Sequence, residues 1–294
     1  MKRLLLLCMC AGMATQLAAA EQPALTHDHG TMMPGGQARL WTQLPLLKPR
    51  MSGGGDMHVR EVRILPQNIA APSIEAWSNN LHDAQAQRSL AVELGGAALD
   101  KPATGGFQML TAREEQGDTV RIASTVHYFG ERGGKNPTAM FDQVKQELEI
   151  VPQPYPREHS RYRADEDWRF LVRYKGQPLV GSQVLLETSN GSRAELLTDA
   201  KGIVTLHIPD DFQELEDKKQ AGGASHGMRR SADFVLAATH VEEGRNYLSA
   251  FNSSYGPDAY DQRGLALGVG FMVLGMLGAA PLLHKRKAKE ADHA

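Results

Sequence analysis

Between Thr119 and Tyr128 apolar and polar side chains alternate: Val120, Ile122, Ser124, Val126 and Tyr128 fall on one side, Arg121, Ala123 and His127 on the other. A period of two is the signature of a strand with one face buried and the other wet. The same reading predicts a strand beginning at Met57 and others over Ser89–Leu94, Gly106–Arg113 and Val144–Val151. A second set follows over Asp167–Tyr174, Val180–Thr188, Arg193–Leu197, Gly202–Ile208, Asp233–His240 and Arg245–Ser253. Turn chemistry separates members of this set at Lys175-Gly176, Ser189-Asn190-Gly191 and Thr198-Asp199-Ala200-Lys201-Gly202. In the last of these, Asp199 is expected to bond its own backbone and Gly202 to take a positive φ. Many short strands with no amphipathic helices between them predict an all-β chain built as antiparallel sandwiches.

Breaks in the pattern divide the chain. The prolines of Pro152-Gln153-Pro154-Tyr155-Pro156 remove backbone donors and fix φ, so 152–160 reads as a stiff linker. It separates a first β domain at 57–151 from a second at 161–256. Within the second, 209–227 is Gly-rich and reads as a mobile surface insertion. Residues 21–56 hold Pro34-Gly35-Gly36 and Gly53-Gly54-Gly55 and no sustained period, as expected of a flexible leader.

The two ends set the compartment. Lys2 and Arg3, the apolar run from Leu4, and Ala18-Ala19-Ala20 have the order of a secretory signal peptide over 1–20, cleaved before Glu21. Gly264–Leu283 is a 20-residue uncharged stretch, 283 − 264 + 1, which at about 1.5 Å per residue just crosses a bilayer core. The basic cluster of His284-Lys285-Arg286-Lys287 and Lys289 within 284–294 is the part expected to remain cytoplasmic. The expectation is a single-pass protein of the inner membrane with its body in the periplasm. Cys8 and Cys10 both lie in the signal, so the mature chain carries no disulfide and no thiolate chemistry. The whole chain has a formal net charge of −2. Removing Lys2 and Arg3 gives −4, and setting aside the tail, net +2, gives −6 for the body. That balance lacks the basic stripe that tracks phosphate backbones, so nucleic acid is not an expected partner.

The segment Trp168–Pro209 (WRFLVRYKGQPLVGSQVLLETSNGSRAELLTDAKGIVTLHIP) resembles an immunoglobulin-like or prealbumin-like repeat, with a "G-x-P-L-x-G" turn, a strand and a "T-D-x-x-G" turn in succession. With Glu147–Pro152 closing the preceding domain, the region 147–240 is similar to the domain-of-unknown-function 4198 family. The resemblance implies a secreted bacterial protein, anchored in some members by one C-terminal helix and in some associated with nickel or cobalt uptake. Members often carry a histidine at the mature N-terminus, where this chain has Glu21.

His27, His29, Met32 and Met33 in the leader, and His226 and Met228 in the insertion, combine imidazole with thioether, the ligand types that copper, nickel and cobalt sites draw on. They are the candidate metal ligands, with a transition-metal ion as the one cofactor suggested. Asp199 lacks the alternating carboxylates of a calcium loop, and no H-E-x-x-H pair, phosphate loop or dinucleotide fingerprint occurs. His127 and His207 fall on strands among apolar neighbours and read as outward-facing. The expectation is therefore not an enzyme but an anchored periplasmic accessory protein for transition-metal handling, with a transporter or other envelope protein as partner. The alternative is an adhesion or scaffolding module without metal, using Trp77, Trp168 or Tyr255 as core or contact aromatics.

Overall fold

The computed structural model describes residues 40–51, 61–82, 86–102, 105–130, 136–156, 161–212, 231–257 and 272. These residues are predominantly β, as the alternation predicts. A long central sheet runs in the order β13 (Arg193–Leu197), β12 (Gln183–Thr188), β15 (Ala232–Glu242), β16 (Arg245–Gly256), β7 (Thr119–Phe129), β6 (Gly106–Gln116), β3 (Ser73–Ser78) and β4 (Gln87–Ala91). The two-residue strand β9 (Tyr162–Arg163) pairs with the far end of β16. All neighbours are antiparallel except β16 with β7 and β16 with β9, which are parallel.

A smaller sheet covers each face. On one side β10 (Asp167–Tyr174) lies between β8 (Leu148–Pro152) and β14 (Ile203–His207), with β11 (Gln177–Pro178) continuing beside it. On the other, β2 (Glu61–Gln67) lies between β1 (Leu46–Met51) and β5 (Ala97–Asp100). The central strands supply both interfaces by alternation. From β7, Val120, Ile122 and Val126 enter the core shared with Phe170, Val172 and Leu206, whereas Ala123 and Phe129 enter the core shared with Leu47, Val62 and Ile64. From β15, Phe234 and Leu236 face the first core, while Val235 and Ala237 pack with Leu46 beneath Trp41 and Leu44.

Several expectations change accordingly. The second face of β7 is not wet, because the β1–β2–β5 sheet covers it. Ordered structure starts ahead of Met57: Leu46 and Leu47 are buried on β1, so the leader assigned to 21–56 ends earlier. The boundary at 152–160 does not separate two cores. The described residues of 40–257 form one compact unit, β7 pairs with β16 across the expected division, and Tyr155 of the Pro-rich stretch lies in the main core against Phe107, Phe141 and Tyr162. The reason is burial: a β7–β16 seam between apolar strands removes two sheet edges at once. The insertion expected at 209–227 is fixed at its start, where Phe212 is buried against Tyr255.

The Thr198–Gly202 turn follows its sequence reading. Asp199 Oδ1 accepts from the N–H groups of Lys201 (2.8 Å) and Ile203 (2.9 Å), and these bonds hold its carboxyl below the ordinary value. Gly202 has φ +72°, and a β-carbon there would sit 2.7 Å from Pro178 Cβ. Among the described residues no helix is long and apolar enough to cross a membrane. The expected signal at 1–20, the leader to residue 39, 213–227, and the 264–283 span apart from Met272 lie outside the described residues.

Candidate functional site at the parting of two parallel strands

The parallel ladder between β16 and β7 runs from Asn246↔Thr119 to Phe251↔Ser124 and then stops, although both strands continue. Hydroxyl groups of β7 mark the place. Ser124 Oγ donates to the Ala250 carbonyl (3.1 Å) and Thr125 Oγ1 to the Asn252 carbonyl (2.8 Å), so a side chain fills the position the next ladder bond would take. Past this point β7 stays with β6, and β16 moves off to join β9 at Tyr255↔Tyr162. The strands part, and a cleft of about 610 Å³ opens between them.

Backbone phase shows what faces the gap. Asn246 N–H donates to the Asp118 carbonyl (2.8 Å), so even-numbered residues of β16 aim their backbone toward β7. The period of two then directs the backbone of Ser254 into the cleft. The walls combine Val126, His127 and Tyr128 from β7 with Asn252, Ser253 and Ser254 from β16, and Leu46, Lys48 and Pro49 of β1 form a third side with Trp41 ahead of them. Arg161 and Asp233 stand at the rim.

Most of these groups are held in place. Asn252 is buried and its amide closes on the backbone of Leu47: Nδ2 donates to the Leu47 carbonyl (2.9 Å) and the Leu47 N–H donates to Oδ1 (3.0 Å). A side chain thus imitates a strand partner and fixes β1 over the parting. Lys48 Nζ bridges to Asp233 Oδ2 at 3.1 Å across the rim. His127 lies edge-on to Phe129, and desolvation lowers its pKa to about 4, so its ring is uncharged at neutral pH with one nitrogen donating and the other accepting. Tyr128 stacks obliquely on Phe107 with centroids 4.6 Å apart.

A second polar cluster lies next to the cleft, around Tyr255, which follows Ser254 on β16. Asp211 accepts four side-chain bonds, from Tyr255 OH (2.6 Å), Thr188 Oγ1, Asn190 Nδ2 and Ser192 Oγ (2.8 Å each). Desolvation pushes this carboxyl upward, but the four donors together outweigh it and leave the pKa below the ordinary 3.8. A depressed carboxyl contributes stability above its unfolded value and loses it as pH falls through the folded value. Asp211→Asn is accordingly expected to cost about 1–2 kcal/mol at pH 7. The gap between variant and native protein should narrow below pH 3.8, as checked by urea unfolding at both acidities.

His27, His29, Met32, Met33, His226 and Met228 lie outside the described residues, and among the described residues there is no group of three or more His, Cys, Asp or Glu able to hold a metal ion. Tyr255 is fully buried, and Trp77 and Trp168 are partly buried against the main core, so the expected aromatics are core groups. His207 is exposed, its ring nitrogens 2.9 Å from Asp167 Oδ1 and 3.3 Å from Asp165 Oδ1. His127 is not simply outward-facing but a wall of the cleft. Trp41, Asn252 and Ser254 were not singled out. The signal for them is the apolar run Leu44-Pro45-Leu46-Leu47 and the three consecutive polar residues Asn252-Ser253-Ser254 in β16.

No family model matches this chain, and no curated protein matches it. Among solved structures it is similar to one that concerns host cell surface retention of a 1.5-MDa bacterial ice-binding adhesin. The TM-score is 0.22 and the identity 10%, over 73% of this chain and 64% of that one. It is also similar to a Ca²⁺-stabilized adhesin that helps an Antarctic bacterium reach out and bind ice, with TM-score 0.23 and identity 12% over 74% of this chain and 49% of that one. The chain spans less than two thirds of the length of either structure.

Proposed function

We propose that this protein is a non-catalytic adhesion or scaffolding module of the cell envelope, its body exported by the 1–20 signal and held at the inner membrane by 264–283. The observation that carries the reading is the cleft at the β7–β16 parting. Three separated stretches of chain converge there, and their polar side chains are fixed by bonds to one another: Asn252 to Leu47, Thr125 to Asn252 and Lys48 to Asp233. A wall whose groups are oriented before a ligand arrives loses little entropy when one binds, which suits recognition. The sheet behind it is covered on both faces and supplies a stiff mount for such a site.

The test is co-sedimentation of the full chain in detergent with isolated envelope material, comparing native protein with Ser254→Trp, in which an indole occupies the cleft. The native protein is expected to pellet with the envelope and the variant to stay in the supernatant. Equal pelleting of both would place the binding surface elsewhere.

A further inference from the structure

We propose that the β7–β16 cleft binds a short oligosaccharide segment; this rests on the binding-module reading and names its ligand class. The walls mix polar and apolar groups. A saccharide presents hydroxyls that both donate and accept, scattered around rings whose C–H faces are apolar. The cleft matches both properties. Ser254 and the uncharged ring of His127 offer donors and acceptors, and Trp41 and Pro49 offer apolar surface beside them. Its volume of about 610 Å³ lies within the range of about 300–1,000 Å³ usual for sites that enclose small ligands.

The alternative occupant of a gap between strands is an extended peptide, which would bind by adding a strand. Such a peptide needs a run of ladder positions. Here the run is short: beyond Ser254, β16 is already taken by β9 at Tyr255↔Tyr162, and before Asn252 it is taken by β7. Little more than the Asn252–Ser254 stretch remains, and the Asn252 carbonyl is used by Thr125. An edge of that length suits a few dispersed hydrogen bonds better than a strand. At the mouth, Arg161 is exposed and can reach a carboxylate or carbonyl substituent on a sugar ring.

The experiment is titration of the full chain in detergent with chitotriose, a hyaluronan tetrasaccharide and a pentaalanine peptide, followed by tryptophan fluorescence and calorimetry. Binding of either saccharide with Kd below about 1 mM is expected. Ser254→Trp should abolish it, and Arg161→Ala, at an exposed position that leaves the fold intact, should weaken the hyaluronan arm by about five- to tenfold. No saccharide binding, binding of the peptide alone, or unchanged saccharide binding in Ser254→Trp would each overturn the assignment. If the saccharides fail while Ser254→Trp still releases the protein from envelope material, only the ligand class is wrong; if both fail, the binding-module reading falls with it.

Discussion

Arg173→Met is expected to remove about 3–5 kcal/mol of stability, measured as the free energy of urea unfolding of the full chain. Arg173 on β10 and Glu149 on β8 are cross-strand partners, Nε to Oε2 2.7 Å, with side chains only 7% and 5% exposed. The remaining guanidinium nitrogens donate to the carbonyls of Phe141 (2.9 Å), Gln143 (2.7 Å) and Asp142 (3.3 Å), at the end of the five-residue helix α1 (Thr138–Asp142). So short a helix cannot hold itself together, and a cation on its last carbonyls gives it an anchor. Lys145 reinforces the same end: its amine donates to the carbonyls of Met140 and Gln143, and burial lowers its pKa to about 8. Methionine at 173 would fill much of the volume but leave the Glu149 carboxylate buried without its partner. The charge, rather than the lost contact, dominates the cost, so adding Glu149→Leu should recover much of it. A loss below about 1 kcal/mol in the single variant would mean that water reaches this pair.

The second large effect is expected at Asn252. Asn252→Leu keeps the shape but strips the buried Leu47 N–H and carbonyl of their partners. At about 1–3 kcal/mol for each of the two unsatisfied buried groups, the loss should be about 2–6 kcal/mol. A local readout separates this from general damage: amide exchange at Leu47 should accelerate far more than exchange at Phe170, across the main core. If protection at Leu47 is unchanged, β1 is held by its pairing with β2 alone.

How much of this could be read from the sequence follows from the range of the forces involved. β10, β13 and the Asp199 turn declare themselves through neighbours a few residues away, so alternation and turn chemistry find them. β1, β3 and β5 do not. β1 carries Pro49 and adjoins a Gly-rich stretch, β3 mixes Glu75 with Trp77, and β5 has only four residues, so no period accumulates. The second buried face of β7 is carried mainly by Ala123 and Phe129, too few apolar residues to announce a covering layer. The β7–β16 seam is a parallel pairing between distant segments, with no turn to set its register. Because the cleft exists only where that seam ends, its residues could not be gathered from sequence. The polar step Asn252-Ser253-Ser254 in β16 is the trace it leaves.

The segments on either side of 152–160 form a single folded body joined at the β7–β16 seam, and the cleft depends on that joint. The direct test is hydrogen exchange of the full chain across a urea series, resolved for 106–129, 167–174 and 232–256. The three segments are expected to lose protection together in one cooperative transition. Separate transitions, with 106–129 opening while 167–174 stays protected, would show two independent domains and contradict the seam and the cleft that depends on it.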